Sequence, residues 1–312
     1  MIPPRSVLRA RAILRDVFKP MWDAISGNLV VALLRATRYF SPDKTANVFA
    51  KFMRKIGPYL PEHRVGRDNL MAAFPEKSPA EIDNILSEVW ANQGRFAAEF
   101  AHLDHIWDYD PAHPQNSRIE LTQDTIEKFA ILRNDGKGAL VFSSHLANWE
   151  LPALAGPAHG LDCALLFRRP NVAAIDRAVQ DIRRVNMGRL IATTPDAPIK
   201  IAEALQSGVH VGMLVDQYFG RGVDVTFFGR TTKANPLLAR LVRQIDCPIY
   251  GVRVVRLADH RFRAELSDEV KPVRDAQGKI DIQGTMQAVT SVIEGWVREH
   301  PEQWLWLHRR WR

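Results

Sequence analysis

Gly138-Ala-Leu-Val-Phe142-Ser-Ser-His145-Leu-Ala-Asn148-Trp-Glu150 decides how this chain folds. A near-continuous apolar run reads as a strand buried on both faces, and two serines end it. Leu151, Leu154 and Ala155 then carry the spacing of a helix that is predicted to begin near Ala147. Strand followed by helix is the unit of a parallel sheet, and α/β proteins build their sites at the carboxyl edge of such a sheet. The link between the two elements holds His145 and, five positions on, Glu150. An imidazole suits proton abstraction near neutral pH, and a nearby carboxylate fixes its tautomer and stabilises its protonated form.

The alternation continues outward. Thr122 to Leu132 reads as helix, Cys163 to Phe167 as strand, Val172 to Asn186 as helix and Ile191-Ala192 as a short strand. Ala197 to Gln206 is predicted helix, Val209 to Val215 strand and Pro236 to Gln244 helix. Ile249 to Val255 and Arg261 to Leu266 read as a hairpin, and Thr285 to Glu299 as a closing amphipathic helix. Upstream, residues 44 to about 110 look helical, with Ser78-Pro79-Ala80-Glu81 a capping box carrying Pro at the first helical position. The expected fold is α/β, a largely parallel central sheet flanked by helices, with an N-terminal helical membrane-associating segment. Its expected parts are a basic amphipathic segment over 1–55, a helical subdomain over 56–115 and the α/β core over 116–312.

Charge separates these parts. Residues 1–55 hold eleven Lys and Arg against Asp16, Asp23 and Asp43, a balance of +8, whereas the whole chain is +7. With no basic stripe or aromatic platform in the body, nucleic acid is not an expected partner. An anionic membrane surface is, since each basic residue near one contributes about 1 kcal/mol. Residues 6–39 read as amphipathic helix, lying on or weakly inserted in a membrane, or else docked on the core. The apolar run from Ile25 to Leu34 falls short of the ~18 residues a spanning helix wants. Cys163 and Cys247 each sit in an apolar run, so a reducing compartment fits and no disulfide or metal spacing is present. The absence of a GxGxxG or Walker loop gives no reason to expect a nucleotide cofactor.

The His-to-acid spacing alone carries little. Ten His and 35 acidic residues in 312 positions produce about one such pair by chance. There are four: His63/Asp68, His105/Asp110, His145/Glu150 and His260/Glu265. Only the third sits between a strand and a helix; the others lie in polar or turn-like stretches. Further polar groups end neighbouring strands: Arg168-Arg169-Pro170-Asn171 and Asp216-Gln217, with the aromatic word Phe227-Phe228-Gly229 following. Singly, Arg169 reads as a surface ion-pair partner, Asp216 as a turn former and the aromatics as core; their convergence on one edge suggests a site.

In order, these blocks resemble the late acyltransferases of lipid A biosynthesis, the lauroyl/myristoyl transferase family. That family lies within the wider glycerolipid acyltransferase superfamily marked by His-x4-Asp/Glu. Asn69-Leu-Met-Ala-Ala-Phe-Pro75-Glu76 and Pro301-Glu-Gln-Trp304-Leu-Trp306, with the ending His308-Arg-Arg-Trp311, extend the resemblance over about residues 60–312. It implies an O-acyltransferase at the cytoplasmic face of the inner membrane, moving a fatty acyl chain from acyl carrier protein to a hydroxyl of a phosphorylated glycolipid, the lipid A precursor. It implies no cofactor or metal, because an acyl thioester is already activated. By the same resemblance His145 is the general base and Glu150 the carboxylate that orients and charges it. Arg169 and Asp216 are further polar members, with Asn171 and Gln217 as substrate contacts. The chain departs from the family where Thr231-Thr232 runs into Lys233-Ala-Asn-Pro236, and in lacking a long apolar N-terminal span. The His-Asn-Trp-Glu word is shared with mycobacterial phosphatidylinositol mannoside acyltransferases. Another acceptor, such as an ornithine lipid, a lysophospholipid or a mannosylated inositol lipid, is therefore the alternative, as is a catalytically silent membrane-binding relative.

Overall fold

A computed structural model describes residues 27–312. Residues 1–26 of the basic segment expected over 1–55, including the first part of the helix read at 6–39, lie outside the described residues. Five helices come first: α1 over 27–37, α2 (Pro42–Ile56), α3 (Pro61–Ala73), α4 (Pro79–Phe100) and the short α5 (Leu103–Ile106). The segment expected to be helical from 44 to about 110 is made of several helices. Prolines at 58, 61 and 79 supply the breaks, since Pro fits a first turn and disrupts an interior. Ser78 and Glu81 form the predicted capping box reciprocally at the start of α4, whose stripe Ile82, Leu86 and Val89 is fully buried.

Strand and helix then alternate as β1 (Ile119–Leu121), α6 (Gln123–Asn134), β2 (Leu140–Ser143), α7 (Leu151–Ala158), β3 (Cys163–Phe167), α8 (Ala173–Asn186), β4 (Arg189–Ala192), α9 (Ala197–Gln206) and β5 (His210–Leu214). A hairpin of β6 (Val223–Phe227) and β7 (Arg230–Ala234) leads to α10 (Leu237–Gln244), β8 (Ile249–Arg256), β9 (Phe262–Leu266) and α11 (Ile282–Glu299). Residues 300–312 run back over the molecule as a strap. The main sheet has the order β1-β9-β8-β2-β5-β3-β4. Every pairing in it is parallel except the β8–β9 hairpin. The fold is therefore α/β with a largely parallel sheet flanked by helices. Neither β1 nor the β6–β7 hairpin was expected. Arg230 to Ala234 forms β7, and its partner β6 ends at Phe227, the first residue of the aromatic word Phe227-Phe228-Gly229.

The two faces of the sheet are packed differently. Phe142 stacks on Trp296 of α11 at 5.7 Å between ring centroids, and Val211 and Met213 join this large core beneath α9–α11. The opposite face lies under α6–α8. There β5, although flanked by strands on both sides, leaves Gly212 half-buried and Leu214 exposed, while Val211 and Met213 between them are buried. That period-two contrast marks an opening on one face only.

Candidate active site

Ser143 of β2 pairs in register with Leu214 of β5. His145 and Asp216 each lie two residues beyond that pair, so neighbouring parallel strands deliver them side by side at the carboxyl edge. His145 Nδ1 donates to Asp216 Oδ1 at 2.7 Å, and the His145 backbone N–H donates to Oδ2 at 2.7 Å. The indole N–H of Trp304, in the strap, donates to Oδ2 at 2.8 Å. Burial by itself would push the Asp216 carboxyl up; His145 and these donors outweigh it and hold the carboxyl below the usual range. An ionised carboxylate only accepts, so the ring proton sits on Nδ1 and Nε2 presents its lone pair. Gln217 Nε2 lies 3.3 Å from that nitrogen, and Trp149 meets the ring edge-on at 5.2 Å.

Glu150, the expected partner of His145, is engaged elsewhere. Ala147 adopts a left-handed conformation at φ 49°, so the chain turns sharply before Glu150 opens α7. The Glu150 carboxylate accepts from Arg183 of α8, Nε at 2.9 Å and Nη2 at 2.5 Å, in a pair largely closed to solvent. The other three spaced pairs fare no better. Trp90 donates to His63 while Asp68 faces Arg64; His105 contacts Asp104, and Asp110 contacts His113. Asp43 and Asn47 flank His260, and Glu265 holds Arg253. Among the described residues, the carboxylate on a histidine at the sheet edge is Asp216, which sequence reasoning had put in a secondary place. The remaining expected site residues are peripheral. Arg169 is 63% exposed with Asp176 at 4.0 Å, and Asn171 lies exposed in the loop before α8.

A buried polar lattice holds the His145 loop in shape. Asn92 of α4 donates to the Ala147 carbonyl at 3.2 Å and to that of Gln303 at 3.1 Å, and the Ala147 N–H donates to the Gln303 carbonyl at 2.8 Å. Asn148, with no exposed surface, donates to Glu99 at 2.9 Å. Arg256 of β8 in turn grips Glu99 with both Nη atoms and Asn92 through Nε. Leu305 N–H donates to the His145 carbonyl at 3.0 Å, which ties the strap to the same loop. A left-handed non-glycine residue costs about 1–3 kcal/mol and persists only when its surroundings over-determine it, as these bonds do.

Beside the dyad, under α7, lies a cavity of about 460 Å³, within the size range of small-molecule sites. His145, Trp149, Gln217 and Arg168, rather than Arg169, line its polar end. Val141, Leu165, Gly212 and Met187 line its middle, and Leu132, His210 and Leu266 its far end. Cys163 is part of the wall, its thiol pushed up to about 12 by burial, which leaves it protonated and unreactive. On the other side of the dyad, Arg310 stacks on Phe227 at 5.0 Å and donates from Nη1 to Thr232 Oγ1 and the Lys233 carbonyl. Burial pushes this guanidinium down to about 10 against the pull of Asp216. Arg183, Trp304 and Arg310 were missed as site neighbours. Trp304 and Arg310 lie in the C-terminal words that carried the resemblance; Arg183 had no signal beyond its place in an amphipathic helix. Among the described residues no group of three or more His, Cys, Asp or Glu is placed to hold a metal ion.

A largely parallel α/β sheet with a His–Asp pair at its carboxyl edge, opening on a mostly apolar cavity, defines a class of site with an acid–base pair beside room for an apolar group. Residues 18–312 match the family described as bacterial lipid A biosynthesis acyltransferase, and the chain belongs to it. It is 23% identical over 241 residues to the lipid A biosynthesis myristoyltransferase of Escherichia coli (strain K12), covering 77% of this chain and 72% of that protein. The same identity and coverage relate it to lipid A biosynthesis acyltransferase 1 of Shigella flexneri.

Proposed function

We propose that this acyltransferase moves a fatty acyl chain from acyl carrier protein to a hydroxyl of a phosphorylated lipid A precursor, with His145 as the base and Asp216 as its partner. The observation that carries this reading is the hydrogen-bonded His145–Asp216 pair at the polar mouth of a cavity lined mostly by apolar side chains. The acyl chain occupies the cavity, which brings the thioester carbonyl to the mouth. His145 Nε2 takes the acceptor hydroxyl's proton as its oxygen attacks that carbonyl, and Asp216 stabilises the imidazolium. Collapse of the tetrahedral intermediate breaks the carbon–sulfur bond, and the imidazolium returns the proton to the departing thiolate. Atoms and charge balance without a covalent enzyme intermediate.

Glu150 has a different part in this account from the one its spacing suggested: it neutralises Arg183 in the cavity wall. Arg169, exposed at the same edge and only loosely held by Asp176, is available to an acceptor phosphate, which a guanidinium binds in bidentate fashion. Membrane attachment is part of the same proposal. Leu29 and Leu33 of α1 are exposed, and Val48 and Phe52 of α2 are exposed on the helix face that carries Lys44, Lys51 and Lys55. This combination suits the anionic cytoplasmic face of an inner membrane, although no helix among the described residues is long and apolar enough to cross one. The test is mass spectrometry of lipid A from a deletion strain and from the same strain complemented with wild-type or His145→Ala protein. Loss of one acyl chain, restored only by the wild type, supports the reading. An unchanged acyl pattern on deletion sends the search to the other lipid acceptors.

A further inference from the structure

Gly212 stands in the middle of β5, between β2 and β3, where a glycine weakens a strand unless something approaches closely. Another glycine of the same sheet shows the usual reason. A Cβ on Gly251 would meet the rings of Phe142 and Trp296 at 2.7 and 2.8 Å, so packing excludes one. At Gly212 the nearest protein atoms to such a Cβ are Leu165 Cδ1 at 3.6 Å and the Ala164 carbonyl at 3.9 Å. No protein atom requires glycine there, and its φ lies outside the left-handed region. What the missing side chain leaves open is the cavity.

Its level in the cavity follows from register. Gly212 pairs with Val141 on one side and Leu165 on the other, two residues below the Ser143–Leu214 pair at the edge. At 3.3 Å per residue that is about 7 Å down from the edge, with about as much again to His210 at the start of the strand. We propose that Gly212 is the specificity-determining residue for acyl chain length, its bare backbone letting the chain pass from the dyad end into the lower half of the cavity. This rests on the reading that the cavity holds the acyl chain, and it assigns the depth of that site to one position.

The experiment is a chain-length profile of the full-length protein with acyl carrier proteins loaded from decanoyl to octadecanoyl, for wild type, Gly212→Ala, Gly212→Val and Gly212→Phe. Circular dichroism melts confirm folding; Ala meets only ordinary contacts at this position, so at least that variant remains folded. The expected result is a stepwise shift toward shorter chains with side-chain size. The ratio of rates for long against short chains should fall by roughly tenfold or more at Val, as a single methylene of misfit produces, while the shortest chain is still transferred. An unchanged chain-length optimum, or an equal loss for all chains, in folded variants would overturn the proposal. If wild type uses no acyl carrier protein substrate, the proposed donor fails. Binding of free fatty acids of the same lengths then decides on Gly212: affinity for long chains alone must fall in the variants, and uniform affinity contradicts the role.

Discussion

At the scale of single residues, Glu150 and Asp216 separate two tasks that the sequence spacing had merged. Glu150 answers Arg183 inside the protein, so Glu150→Gln leaves a mostly buried guanidinium without its carboxylate. The expected cost is about 3–5 kcal/mol in a denaturant or thermal melt, without loss of the His145–Asp216 bond. Asp216 behaves differently with pH. Its folded-state carboxyl lies below the ordinary range, so its contribution to stability is fully present above the unfolded value near ~4 and is lost as pH falls through the folded one. Asp216→Asn should therefore be less stable than wild type at neutral pH, by about 2 kcal/mol, and the gap should close on acidification. A gap that widens toward acid pH contradicts a depressed carboxyl. Replacing His63, His105 or His260 by Ala should leave transfer largely intact, since none of them has an acid partner at the sheet edge.

At the scale of elements, the loop from Ser144 to Glu150 is held from two sides, by α4 through Asn92 and Glu99, which Arg256 of β8 fixes in turn, and by the strap through Gln303 and Leu305. Ala147→Gly should be tolerated, because glycine adopts positive φ freely. Ala147→Val should lower the melt by more than about 2 kcal/mol, since a β-branched residue resists that backbone and the site is fully buried. Equal melts for the two variants contradict a loop held in the left-handed conformation. The strand and helix around this loop were legible because Gly138 to Phe142 is a near-continuous apolar run and Leu151, Leu154 and Ala155 repeat at helical spacing. The left-handed turn was not legible, because it occurs at an alanine and not at a glycine. Nor was strand order. Asp216 was placed at the correct edge, but only the adjacency of β2 and β5 puts it against His145, and local pattern does not report which strands are neighbours. The β6–β7 hairpin was missed because its polar Thr-Thr-Lys half lacks a strand's apolar alternation.

At the scale of the whole molecule, the proposed account divides labour between a membrane-facing helical layer and a sheet that holds the chemistry. If α1 and α2 meet an anionic surface, reversing Lys44, Lys51 and Lys55 to Glu should weaken binding to phosphatidylglycerol vesicles by about 1 kcal/mol or more per residue. Raised salt should weaken wild-type binding as well, and salt-insensitive binding contradicts an electrostatic contribution. The central claim concerns which carboxylate serves His145, and one side-by-side measurement tests it. Transfer from acyl carrier protein should be measured per folded molecule for wild type, His145→Ala, Asp216→Asn and Glu150→Gln, below the melt of the least stable variant. The account predicts losses of about 10²–10⁴-fold for the first two variants, the scale of general acid–base catalysis, with Glu150→Gln within roughly tenfold of wild type. Near-normal transfer by Asp216→Asn, together with a Glu150→Gln protein as inactive as His145→Ala, would contradict it.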